Sequence, residues 1–296
     1  MTTASMIPVA AIGQTAERPN IVLINIDDMG YSDPSCYGGD YVETPNIDKL
    51  AEEGLSLRQF YTSCPISSPS RVGLTTGMFP TRWGINTFLQ ERANNARNEQ
   101  NDFLLPNAPS MARALKESGY NTGHFGKWHM GNQDDMPQPG FDHWEGFRGQ
   151  GTYYNTVLNI NGERVKFDPE LYSTDILTDH AIDFVRDNEE GPFFIYLSYK
   201  SVHSGFQPSP SRKGMYKDEK AVYPPSFNVP EYGIPRLPSK DADGRPLAGR
   251  GWYGESRLPD WVKNQRESWH GVDYQYHGAL PYEEDFRNYC ETVTSM

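Results

Sequence analysis

Short apolar runs alternate along this chain with longer segments of helical period. Asn20 to Ile26 reads Asn-Ile-Val-Leu-Ile-Asn-Ile, a nearly unbroken β-branched run. Such a run predicts a strand buried on both faces, as in a parallel sheet. Phe193 to Tyr199 predicts a second buried strand and Tyr120 to Phe125 a third. Leu55 to Tyr61 alternates enough to predict one more. Ser173 to Asn188 carries Ile176, Leu177, Ala181, Phe184 and Val185 at helical spacing. Pro109 to Ser118, closed by Gly119, predicts another helix, and so does Asp285 to Met296. Thr44 and Pro45 open a helix that Gly54 ends, with Ile47, Leu50 and Ala51 marking its buried face. Strands alternating with helices predict an α/β domain with a mostly parallel sheet flanked by helices.

Four polar stretches at the ends of these elements carry candidate chemistry. Asp27-Asp28-Met29-Gly30 follows the first strand directly. The carboxyl ends of strands are where open α/β sheets build their sites, and paired hard oxygens suit Ca²⁺ or Mg²⁺. An acidic turn explains those residues equally well. In Ser67-Ser68-Pro69-Ser70-Arg71, Ser68 suits a helix N-cap and Pro69 the first helical position. The free N–H groups of that helix would face whatever binds at Ser67, and Arg71 adds a cationic fork. A capped surface helix with an ordinary serine explains this short motif too. Lys127 and His129 alternate on an extended segment within Gly126 to Gly131, so both can point at one face. His203 follows the Phe-rich strand, in Lys200-Ser201-Val202-His203.

Composition narrows the picture. A chain of 296 residues suffices for one large α/β domain or two smaller ones. A net charge of −12 argues against nucleic acid as a partner. Cys36, Cys64 and Cys290 show neither metal spacing nor a disulfide framework. No apolar run is long enough to span a membrane. Met6 to Gly13 is similar to the tail of a signal peptide, without a basic stretch before it. Residues 207–266 read as a long loop excursion, of the kind that often forms specificity surfaces. Trp252, Trp261 and Trp269 could stack there on a sugar or aryl ring.

Ser67 to Gly77 resembles the sulfatase signature: a Cys or Ser, then x-Pro-Ser-Arg, then a Leu and a Thr-Gly. Cys64 does not fit, because Ile66 and Ser68 stand where Pro and Arg are required. Asn20 to Gly30 resembles the sulfatase N-terminal strand, and Gly126-Lys127-Trp128-His129-Met130-Gly131 a second motif of that family. His203 resembles the histidine that contacts the sulfate ester, although Ser204-Gly205 replaces the usual proline. The resemblance implies that Ser67 is oxidised to formylglycine, whose hydrate attacks sulfur. It implies Arg71 and His129 as its catalytic partners, Lys127 and His203 as sulfate ligands, and Asp27, Asp28 and Ser67 as ligands of Ca²⁺, with Mg²⁺ as the alternative.

The implied fold is alkaline phosphatase-like, truncated on its C-terminal side. Residues 1–19 would be a tail or signal-peptide remnant, and 20–296 the N-terminal portion of the catalytic domain. A later Ser-Asp-(His or Asn)-Gly stretch, a second sulfate-binding lysine and a small C-terminal sheet domain are expected of the family and not found here. Calcium held by so few ligands would bind weakly. The implied partners are a sulfated small molecule or carbohydrate and a sulfatase-maturating enzyme. The implied location is periplasmic or secreted, with the cytoplasm still open. A phosphomonoester or phosphodiester hydrolase of the same superfamily and an inactive fragment remain as alternatives.

Overall fold

The structure is a computed structural model that describes residues 18–89, 108–131, 135–219 and 282–296. Met6 to Gly13, most of the 207–266 excursion and Trp252, Trp261 and Trp269 lie outside the described residues. Six strands form one sheet: β1 (Ile21–Asn25), β2 (Asn121–Lys127), β3 (His143–Phe147), β4 (Val157–Ile160), β5 (Glu163–Lys166) and β6 (Phe193–Ser198). Their order is β1-β6-β2-β3-β4-β5. The first three pairings are parallel, and the β3–β4 and β4–β5 pairings are antiparallel. The helices are α1 (Pro45–Glu53), α2 (Ser67–Thr76), α3 (Met111–Glu117), α4 (Ser173–Asp187) and α5 (Tyr282–Val293).

The two-residue period of β6 divides the core. Phe194 and Tyr196 face a cluster with Val72 of α2, Ala112 of α3, Trp128 and Trp144. Phe193, Ile195 and Leu197 face the other cluster, with Ile176, Leu177 and Ala181 of α4. β6 is buried throughout, as its unbroken apolar run requires. Trp128 is fully buried in the first cluster. Gly126 lets β2 and β6 approach closely beside the site: a Cβ there would sit 2.1 Å from the Ser198 carbonyl oxygen.

Three expectations are corrected. Among the described residues, β1 lies at the edge of the sheet, paired with β6. Ile21 and Leu23 pack on the core, but Val22 and Ile24 are half exposed on the other face. Leu55 to Tyr61 is not a strand. Among the described residues no strand pairs with it, and Leu55 and Tyr61 stand about as open as any apolar side chain described. α1 has no buried residue; Ile47 and Ala51 are half-buried and Leu50 is exposed.

Candidate active site

α2 begins two residues earlier than its cap signal predicts. Ser67 is its first helical residue, preceded by Ile66 as the cap position, and the Ser70 N–H donates to the Ile66 carbonyl at 2.9 Å. Ser68, predicted to cap, is fully buried and instead accepts from the Leu89 N–H at 2.9 Å. The shift puts Ser67 on the first turn, half-buried, at the positive end of the helix dipole.

Arg71 joins α2 to three strands. Nε donates to Ser67 Oγ at 3.1 Å and Nη2 to Asp27 Oδ1 at 3.2 Å. Nη1 donates to the Ser198 hydroxyl at 2.6 Å and to the Lys127 carbonyl at 2.9 Å. With its amide oxygen turned inward, Asn25 lies 3.3 Å from both Nη1 and Nη2. A rigid fork with five donors suits such a junction, where a lysine would reach one partner at a time.

Asp27 is buried, and its second carboxylate oxygen accepts from Lys127 Nζ. Burial alone would raise its pKa; Lys127 and Arg71 outweigh burial and hold it down at about 2. Lys127 is fully buried at the end of β2, and its ammonium also donates to Gln150 Oε1. Burial pushes that ammonium down to about 8, and Asp27 restores only part of the loss.

His129 does not lie on an extended segment. The strand stops at Lys127, and His129 adopts a left-handed φ of 52°. Both side chains nevertheless reach the same place, because His129 Nδ1 lies 3.2 Å from Ser67 Oγ. Burial, then the cations Lys127 and Arg71, push His129 down to about 3, so its ring is neutral near pH 7.

Asp28 and His203 form the open side. Asp28 has a left-handed φ of 63° and a side chain 57% exposed, and its carboxylate lies 3.6 Å from His203 Nε2. Burial also lowers the His203 pKa. The backbone brings the two together: Asp27 N–H donates to the Ser201 carbonyl at 2.8 Å, and Val202 N–H donates back to the Asp27 carbonyl at 2.6 Å. Behind this loop, buried Asp33 accepts from Gly30 N–H at 2.5 Å, from Tyr41 OH at 2.7 Å and from Tyr289 OH of α5.

All seven residues predicted from sequence thus converge in one connected group. Sequence reasoning missed Asn25, Ser198, Gln150 and Asp33. The first two had a usable signal: each is a polar residue at the carboxyl end of an otherwise apolar strand run.

A family model described as Sulfatase matches residues 19–296. An N-acetylglucosamine-6-O-sulfatase of Bacteroides thetaiotaomicron is 31% identical over 220 residues, covering 73% of this chain and 36% of its own length. An arylsulfatase of Klebsiella aerogenes is 32% identical over 207 residues, covering 64% of this chain and 44% of its own. The chain therefore spans less than half the length of these two relatives. The solved structure of BT4656 with its substrate D-glucosamine-2-N,6-O-disulfate matches with a TM-score of 0.65 at 24% identity, over 94% of this chain and 60% of that one. At that identity the match speaks to the fold.

Proposed function

The chain belongs to the sulfatase family, and on that premise we propose that it hydrolyses a sulfate monoester of a carbohydrate or an aryl alcohol. One observation carries this reading: Arg71 donates to Ser67 Oγ and to Asp27 Oδ1 at 3.1 and 3.2 Å. A hydroxyl destined for attack and a carboxylate suited to a metal are thereby held side by side by one cation.

The residues fit calcium in kind. Asp27 and Asp28 offer hard oxygens, and the Asp28 carboxylate is open to solvent. They do not fill its shell: among the described residues, no group of three or more His, Cys, Asp or Glu could hold a metal. Asp27, Asp28 and an oxygen at Ser67 would hold the ion, with water taking further positions. Calcium bound there would polarise the sulfate oxygens.

The remaining roles are those that the family resemblance implies, and the contacts of Ser67, Arg71 and His129 support them. Ser67 Oγ stands in for one oxygen of the hydrated formylglycine, which supplies one hydroxyl for attack and a second to expel sulfate. Neutral His129 is placed to accept a proton from that oxygen. Arg71 orients it and balances its developing charge. Lys127 and His203 would bind the sulfate oxygens, Lys127 as a point charge and His203 as a hydrogen-bond partner. A maturating enzyme that accepts serine is the partner this chemistry needs.

Release of sulfate from a panel of sulfated sugars and aryl sulfates tests the reading, with a serine-type maturating enzyme co-expressed. Turnover that disappears in Ser67→Ala supports it. Turnover unchanged in that variant refutes it. Export to the periplasm or beyond belongs to the same proposal and is checked by cell fractionation. Among the described residues, no helix is long and apolar enough to cross a membrane.

A further inference from the structure

Lys127 presents a problem that the roles above leave open. An ammonium on a flexible four-carbon stem needs fixed partners to hold a position. Asp27 is one, but a carboxylate cancels the charge that a sulfate would need, and Asp27 is also a candidate metal ligand. The second partner is neutral: Lys127 Nζ donates to Gln150 Oε1. A neutral acceptor directs an ammonium without cancelling its charge.

The fold builds this contact from one pair of strands. Lys127 and Phe147 are register partners at the ends of β2 and β3. The chain then turns through Gly149-Gln150-Gly151, with φ of 56° at Gly149 and 63° at Gly151. A Cβ at Gly151 would sit 2.5 Å from the Phe147 ring, so the buried ring fixes the turn that presents Gln150.

We propose that Gln150 is a positioning residue for Lys127, taking one ammonium proton so that the charge stays aimed at a bound sulfate. The proposal rests on the sulfatase reading, and its test separates the two. The probe is inorganic sulfate, titrated by calorimetry into the full chain with calcium present.

Gln150→Ala weakens sulfate binding by roughly tenfold, the loss expected for a hydrogen bond to a charged group. Gln150→Glu weakens it more, because a carboxylate there neutralises Lys127 and repels the anion. Gln150→Ala also leaves one donor of the buried ammonium unpaired and lowers stability, so binding is measured well below the urea transition of each variant. In a Lys127→Met background, or Lys127→Gln should that fold better, Gln150→Ala has no further effect. If Lys127→Met loses sulfate and Gln150→Ala does not, the positioning role is wrong and the sulfate site stands. If the two losses add, Gln150 acts on sulfate directly and the proposal is overturned. If the wild-type chain binds no sulfate, the site reading falls and the proposal with it.

Discussion

Asp27 and Asp28 are neighbours at the tip of one strand, yet they sit in opposite environments. Asp27 is buried and gripped by Arg71 and Lys127. The Asp28 side chain is 57% exposed, with the His203 ring 3.6 Å from its carboxylate. One half of the site is an internal ion cluster that ties α2 to the sheet. The other half is open for a ligand. The contrast separates a carboxylate tied into the framework of the site from one that is free of it, and each variant below is a way to break or sharpen that division.

The largest effect is expected from Asp27→Asn. It leaves Arg71 and Lys127 buried without their counter-charge and should lower stability by about 3–5 kcal/mol. Asp28→Asn should stay within about 0.5 kcal/mol of wild type, as exposed substitutions do. Urea midpoints measure both, and equal losses would dissolve the contrast.

Acid reads the same division. The folded pKa of Asp27 lies at about 2 against an ordinary 3.8. A depressed carboxylate pKa stabilises the fold above the ordinary value, and that stability is lost as pH falls through the folded one. About 2 kcal/mol should therefore be present above pH 4 and lost toward pH 2. Asp27→Asn should lack this component, whereas Asp28→Asn should keep it.

On the proposed reading, the open half is where calcium is tested. At ten times its dissociation constant, calcium should add about 1.4 kcal/mol to wild-type stability. It should add nothing to Asp28→Asn. A calcium response that survives this substitution would move the metal elsewhere.

The smallest expected effect is an absence. His129 lies at about 3, pushed there by burial and two cations. Its ring is then neutral at every pH above about 5, so it should put no inflection near pH 6.5 into the rate of sulfate release. Such an inflection, if it vanished in His129→Ala, would place a charged His129 in the mechanism.

Legibility in the sequence follows the same line. Phe193 to Ser198 was readable because a central strand must be apolar on both faces. Ser67, Arg71, Asp27, Asp28, Lys127, His129 and His203 were readable because their types and spacing resemble a family signature. Edge position was not: an apolar run does not say whether a second layer covers it, and Val22 and Ile24 are half exposed. Leu55 to Tyr61 had the alternation of a strand but no partner, and backbone pairing is a property of two segments. Ser68 had the chemistry of a cap, but the Leu89 N–H claims its hydroxyl, a contact 21 residues away. Gln150 meets Lys127 23 residues away and Asp33 meets Tyr289 256 residues away, and single polar residues in loops carry no periodic mark.

The central claim is that Ser67, held with Asp27 by one guanidinium, becomes the aldehyde hydrate that attacks sulfur. Mass spectrometry of the tryptic peptide from Gln59 to Arg71, purified from cells with a serine-type maturating enzyme, tests it most directly. The account predicts a peptide about 2 Da lighter than its sequence, with the loss located at Ser67. A peptide of full serine mass, from cells in which the same enzyme converts a control sulfatase, would contradict it.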